Sequence, residues 1–235
     1  MRDLSGRWFI TETGVALSGG QHPVPEWFET ICKERRERLR PRVKETLALL
    51  ETGADDDGAI KAAKGLWIAM DDPGRREFLR WCYCNMDVLG RRPFSRIFSQ
   101  TWTRPRTTSL RGWGFPYRDI VKMFDRALPD VLMEPEDLAV FNQLPAEIVA
   151  YRGVAGITIG RAERGMSWTL NREEAEWFAE RDEDLGAPMV LEATIRKPNV
   201  LAVFNDPERE IVVRPGRVSR VTVQALNSRF HPEAA

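Results

Sequence analysis

Three short pieces of the chain carry side chains suited to one reaction. Tyr151-Arg152-Gly153, Ser167-Trp168-Thr169 and Glu208-Arg209-Glu210 occur in that order. An arginine at a strand end offers a rigid bidentate fork for a pyrophosphate oxygen or a ribose contact. Serine and threonine two apart on a strand project both hydroxyls from one face, where they can hold a ligand and orient a carboxylate. Glu208 and Glu210 share that spacing in an extended segment and face the same way. One carboxylate can accept a bond from a ribose hydroxyl and stabilise positive charge on C1 as a pyridinium leaves. The other can position and deprotonate an incoming nucleophile. The set fits a reaction on NAD, with the oxocarbenium logic of glycosidases and nicotinamide as leaving group. Each piece alone has an ordinary explanation: an Arg-Gly after a strand, cross-strand packing, or two acids on one exposed face. Their order and spacing together make the signal.

The elements that must position these pieces begin near Pro145. Glu147–Arg152 is a β-branched run ending at Gly153, and Gly165–Leu170 is a short strand. Asn171 with Glu174 three residues on has the pattern of a capping box opening a helix, REEAEWFAER, with Ala175, Phe178 and Ala179 on one side. Strands are expected at Met189–Ile195, Val200–Val203, Glu210–Val213 and Val218–Leu226. Before residue 147 the texture is helical. Apolar residues at three- and four-residue steps across 25–50 predict one or two amphipathic helices, with Pro41 as a kink or a fresh start. The basic run Lys33–Arg42, interleaved with Glu34 and Glu37, reads as a solvated face. Residues 53–58 are a turn cluster. Helices are expected over Ala59–Met70, Asp72–Leu89 and Asp119–Ala127, with Trp67, Phe78, Trp81 and Tyr83 as core. The class is therefore α+β: a mainly helical region over 1–145, packed on a sheet-bearing core over 146–228, and a frayed tail over 229–235.

Composition narrows the chemistry. The 235 residues carry 35 basic and 35 acidic side chains, which excludes a uniform polycation. Two histidines, His22 and His231, leave little for a zinc site or a serine triad, and no metal is expected. The three cysteines, Cys32, Cys82 and Cys84, lack framework spacing and read as small core hydrophobes in a reducing compartment. No apolar run approaches a membrane span and no secretory signal is visible, so a cytoplasmic protein without membrane contact is expected.

Residues 91–118 stand apart, with seven arginines, no acid, and Phe94, Phe98, Trp102, Trp113, Phe115 and Tyr117 interleaved. Arginine with aromatics is a way to hold single-stranded nucleic acid. The plainer reading makes the rings core and the arginines surface. Segments 103–106 and 112–117 read as loops.

The three pieces resemble the Arg–Ser–Glu motif set of mono-ADP-ribosyltransferases of the cholera-toxin-like class, over roughly residues 145–226. The resemblance implies a split antiparallel β-sheet core that cleaves NAD, used as substrate, and transfers ADP-ribose to a macromolecule. It assigns Arg152, with Gly153, Ser167 and Thr169, to NAD. It makes Glu210 the catalytic carboxylate on the ribose and Glu208 the acceptor-side one. Phe178, or Trp177, would pack on nicotinamide, and the turn Asn205-Asp206-Pro207 would recognise the acceptor. Trp168 departs from the small residue usual there, and its ring should point away from Ser167 and Thr169. The diphtheria-like branch opens on a histidine, which neither His22 nor His231 supplies in a strand context.

The acceptor implied is a protein arginine, because Glu stands first in Glu-x-Glu. It is instead a nucleic-acid base if Arg104, Arg106 and Trp113 form its platform, and water makes the chain an NAD glycohydrolase. A toxin with a neutralising antitoxin, a phage-borne host modifier or a delivered effector would each suit such an activity. Two readings compete: a non-catalytic nucleic-acid-binding module built on residues 91–118, and an inactive transferase fold used for protein interaction.

Overall fold

The computed structural model describes residues 28, 31–52, 57–103, 110–205 and 209–226. The chain divides into two compact units, Met1–Leu132 and Met133–Ala235.

The first unit is helical. Its elements are α1 (Lys33–Thr52), α2 (Asp57–Ala69), α3 (Asp72–Cys84), α4 (Met86–Leu89), α5 (Arg91–Trp102), α6 (Tyr117–Arg126) and α7 (Pro129–Leu132). Helix α1 runs through Pro41 without a break. Its buried stripe of Leu39, Val43, Leu47 and Leu50 continues across the proline, so packing outweighs the one missing hydrogen bond. The stretch expected as one helix over 72–89 divides at Asn85, which turns both its backbone and its side-chain N–H onto the Trp81 carbonyl. At the other end of α3, the Asp71 carboxylate accepts from Gly74 and from Cys32 N–H, each at 3.1 Å. Helix α5 lies inside the arginine-rich segment. Phe94, Ile97, Phe98 and Thr101, at i, i+3, i+4 and i+7, are its buried side. Phe98 meets Phe124 edge-on with centroids 4.7 Å apart.

The second unit holds α8 (Pro135–Gln143), β1 (Glu147–Ala155), α9 (Ile159–Ala162), β2 (Ser167–Thr169), α10 (Arg172–Arg181), β3 (Pro188–Arg196), β4 (Val200–Phe204), β5 (Glu210–Val213) and β6 (Val218–Ala225). The six strands form one sheet in the order β4-β5-β2-β1-β3-β6, with every neighbouring pair antiparallel. Helix α8, expected to go with the helical region, belongs to this unit.

The sheet is continuous but nearly divided. Strands β1 and β3 pair over nine residues, whereas β1 meets β2 at one pair, Tyr151 with Thr169. Two three-stranded halves, β4-β5-β2 and β1-β3-β6, therefore join through a single rung. Helix α10 packs on the second half, with Ala175 and Ala179 against Val190 and the half-buried Tyr151. A Cβ at Gly153 would overlap the Ala175 carbonyl, so glycine at that position sets how closely α10 lies on β1.

The two sheet edges differ. On β4 the Val203 N–H points to Met133 Sδ at 3.3 Å, and the Asn205 N–H just beyond the strand donates to Asp137 at 2.8 Å. On β6 the register with β3 shifts opposite Glu192 and Thr194, and Arg220 takes a φ of 51°.

Candidate active site

The site forms where the two halves of the sheet part. Directly opposed residues of an antiparallel ladder share a face, so Glu210, Thr169 and Tyr151 stand in one row across β5, β2 and β1. Ser167, two residues from Thr169, is on the same face and exposed. Trp168 faces the other way, is 2% exposed, and donates its Nε1–H to the Gly165 carbonyl at 2.9 Å. The large residue in the Ser-x-Thr piece is thus a packing anchor for β2.

Arg152 occupies the gap beyond the Tyr151–Thr169 rung. Had the ladder continued, Arg152 would have faced Trp168 in backbone register. Instead its guanidinium donates from Nη1 to the Ser167 carbonyl and bridges the two halves with a side chain. The approach requires a residue without a side chain at position 165, because a Cβ there would overlap the guanidinium. Gly153 and Gly165 thus shape the site by what they lack.

Thr169 is 5% exposed, and its Oγ1 accepts the Asn171 N–H at 3.0 Å. Asn171 in turn caps α10, its Oδ1 accepting the Glu173 N–H at 2.9 Å. The expected box with Glu174 is replaced by this relay, in which Thr169 satisfies the amide that Glu174 would have taken. The motif threonine therefore sets the direction in which α10 leaves the strand. Farther along, Arg172 donates to Glu176 at 2.9 Å and to the Gln224 side chain of β6, so α10 is tied to the far strand as well. The Glu176 hydrogen bond raises the pKa of this guanidinium above the usual arginine value.

A cleft of about 380 Å³ opens along this parting. Arg152 and Gly153 line it from β1, Ser167 and Thr169 from β2, and Glu210 from β5. Helix α10 and the turn after it add Phe178, Arg181, Asp182 and Leu185 as a wall. The volume lies within the range of small-molecule sites. Glu210 is half-buried and follows Arg209, whose φ of 45° is in the left-handed region. Such a conformation in a non-glycine residue costs about 1 kcal/mol and fixes how the chain enters β5.

Five residues assigned to NAD or catalysis from sequence, Arg152, Gly153, Ser167, Thr169 and Glu210, thus line one cleft, and Phe178 joins them. Gly153's lack of a side chain is accounted for by helix packing. Trp177 is 53% exposed and stands beside Phe178 outside the lining. Arg181 was not singled out from sequence. Its guanidinium lies 4.7 Å from the Phe178 ring centre and 5.0 Å from that of Trp177, and pairs with Asp182 at 2.9 Å. The signal was present: Arg181 follows Phe178 by three residues, one helical turn.

The acceptor-side assignments fare differently. Glu208, Asp206 and Pro207 lie outside the described residues, as do Arg104 and Arg106. Asn205 is exposed at the end of β4. Trp113 is 7% exposed, and Phe94, Phe98 and Phe115 are buried with it. Four of the six interleaved rings of residues 91–118 therefore offer no face to a base. Trp102 and Tyr117 are half-buried, with Arg111 4.7 Å above the Tyr117 ring. The cysteines divide as well: Cys82 is buried, Cys84 half-buried, and Cys32 exposed rather than in the core.

Among the described residues, no three His, Cys, Asp or Glu side chains are grouped to hold a metal ion. No described helix is long and apolar enough to cross a membrane. No protein-family model matches the chain, and comparison with curated proteins and with solved structures likewise yields no match.

Proposed function

We propose that the chain is a mono-ADP-ribosyltransferase that consumes NAD. The observation that carries this reading is the convergence of Arg152, Ser167 and Glu210 from three strands on one cleft. A guanidinium, a hydroxyl and a carboxylate around a pocket with an aromatic wall are the groups that a ribose bearing phosphate and a flat cationic ring would require.

In this reading the ribose and nicotinamide occupy the parting of the sheet. Arg152 engages a phosphate or ribose oxygen with its guanidinium. Glu210 accepts a hydrogen bond from a ribose hydroxyl and faces the sugar as positive charge develops. The C1–nitrogen bond breaks with its electron pair passing to the pyridine ring, which leaves as neutral nicotinamide. The nucleophile then bonds to C1 and loses its proton to a base, the role given to Glu208. Phe178 supplies a flat apolar wall for the nicotinamide.

The acceptor is a protein arginine in the form the Glu-x-Glu pattern favours, with a nucleic-acid base or water as the other outcomes. An enzyme of this kind endangers the cell that makes it. A neutralising partner, or delivery into another cell, belongs to the proposal.

The test is incubation with adenine-labelled NAD and cell lysate, followed by separate protease and nuclease digestion. Label released by protease supports a protein acceptor, and label released by nuclease supports a nucleic-acid one. Free ADP-ribose alone supports hydrolysis. Absence of nicotinamide release, with no NAD binding by calorimetry, would remove the reading.

A further inference from the structure

Helices α1 and α2 share a surface whose charge is not compensated. Every residue from Lys33 to Lys44 except Arg36, Leu39 and Val43 is exposed, and these twelve positions hold five arginines, two lysines and two glutamates. Arg35, Arg38 and Arg42 recur at i, i+3 and i+7, which places them along one side of the helix over about 10 Å. Arg42 reaches across to α2, where its guanidinium occupies the space a Cβ at Gly65 would fill. Lys61 stands one turn before Gly65 on that same side of α2, and Lys64 follows it by three residues. Both are exposed. The two helices thus merge their cations into one patch.

This arrangement is costly for an isolated protein. Arg35–Arg38, Arg38–Arg42 and Arg40–Lys44 are like-charged neighbours at helical spacing, and such pairs are unfavourable. Glu34, Glu37 and Glu45 could offset this. Yet Arg35, Arg38, Arg42, Lys61 and Lys64 form no ion pair among the described residues. The run is the solvated face expected from sequence, and these five cations stand without carboxylate partners among the described residues.

We propose that this face of α1 and α2 binds the phosphodiester backbone of a nucleic-acid duplex. A row of arginine forks matches phosphate geometry, and a polyanion removes the mutual repulsion of the row. The α1 side chains suited to lipid insertion, Leu39, Val43 and Leu47, are buried in the helical unit. The exposed aliphatic pair Leu49 and Ile68 has no exposed aromatic companion on these helices, which disfavours a membrane surface. Among the described residues at the patch, the rings of Phe28 and Trp67 are at most 1% exposed and offer no face for base stacking. The contact is therefore to backbone, with duplex DNA and duplex RNA as its two sources. The inference is independent of NAD cleavage and concerns a different part of the chain.

The experiment is fluorescence anisotropy of labelled 24-base-pair DNA and RNA duplexes with the full chain, without NAD, across a sodium chloride series. Five phosphate contacts predict a slope of log affinity against log salt near −4 to −5. The triple reversal Arg35→Glu, Arg38→Glu and Lys61→Glu should weaken duplex binding at least tenfold at about 0.1 M salt, with an unchanged melting curve. The reversal Arg118→Glu with Lys122→Glu, on exposed α6 positions, should leave binding within twofold. Should the triple variant misfold, the milder Arg35→Gln with Lys61→Gln must still weaken binding and flatten the slope. The proposal is overturned if duplexes do not bind at low salt, or if the folded variants bind as well as the parent. Preference for single-stranded oligonucleotides, or for anionic phospholipid vesicles over duplexes, overturns it equally.

Discussion

Tyr151 and Thr169 form the one rung between the two halves of the sheet, and Arg152 spans the gap immediately beyond it. The candidate site is therefore built on a weak seam rather than on a rigid floor. The seam is held by one residue pair, by a guanidinium on a carbonyl, and by the relay from Thr169 through Asn171 into α10.

Arg152 should be needed for structure and for ligand together. Hydrogen bonds that involve a charged group contribute about 1.5–3 kcal/mol when they are shielded. Arg152 is only half-buried, so Arg152→Ala should lower unfolding free energy by about 1–2 kcal/mol by urea titration. NAD affinity should fall at least tenfold by calorimetry. Arg152→Lys should recover little of either, because an ammonium cannot grip Ser167 and a ligand as a fork does.

Glu210 should divide activity from stability. It is half-buried at the start of β5, and Gln keeps its shape. Glu210→Gln should reduce nicotinamide release by about 10²–10³-fold, the cost of removing one preorganised electrostatic partner. The urea midpoint should move little. Wild-type turnover by the folded variant would take Glu210 out of the chemistry.

Two alanines make a contrast. Gly153→Ala drives a methyl into the Ala175 carbonyl, so β1 and α10 must separate. Overpacking against backbone costs about 1–3 kcal/mol, read as a drop in melting temperature. Gly165→Ala drives the methyl into the Arg152 guanidinium instead, which can swing aside. It should cost less stability than Gly153→Ala yet raise KM for NAD severalfold. Equal effects of the two variants on KM would disconnect Gly165 from Arg152.

Cys82 should report on alkaline stability. Burial pushes its thiol well above the ordinary range, so the folded protein keeps it protonated where an unfolded chain would release the proton. The folded state then holds more protons than the unfolded state above pH ~8.5. Stability contributed by the neutral thiol is complete below that pH and declines above it, by up to about 1.4 kcal/mol per pH unit. Cys82→Ala should flatten the decline in urea midpoints between pH 8.5 and 10. In native protein a thiol reagent should label exposed Cys32 first and Cys82 only on unfolding.

Much of the second unit was legible from local pattern. The β-branched run at 147–152, the Asn171 cap and the Glu210–Val213 strand carry strong local patterns and are found as strand, cap and strand. Strand β1, however, continues through Gly153 to Ala155, so Arg152 is within the strand rather than at its end. Their assembly was not legible. Nothing local tells that β1 and β2 share one rung, because that depends on where Gly153 lets α10 settle and on Arg152 filling the gap. The arginine-rich segment admits both a binding and a core reading. For four of its six rings the core reading holds, with Phe94, Ile97, Phe98 and Thr101 forming a buried helical stripe. The basic run of α1 is the solvated face its composition implies, but which of its charges find partners depends on side-chain geometry that spacing alone does not determine.

The edges of the sheet bear on how the protein behaves when crowded. Strand β4 has the outward amides of Val203 and Asn205 already occupied by Met133 and Asp137. Strand β6, exposed along most of its length, is kinked by the irregularity at Arg220. A second molecule therefore finds the β4 amides engaged and only the short regular stretch Thr222–Ala225 of β6 as an edge to copy among the described residues. Fibrous stacking is discouraged at β4 by its occupied amides and at β6 by its bend.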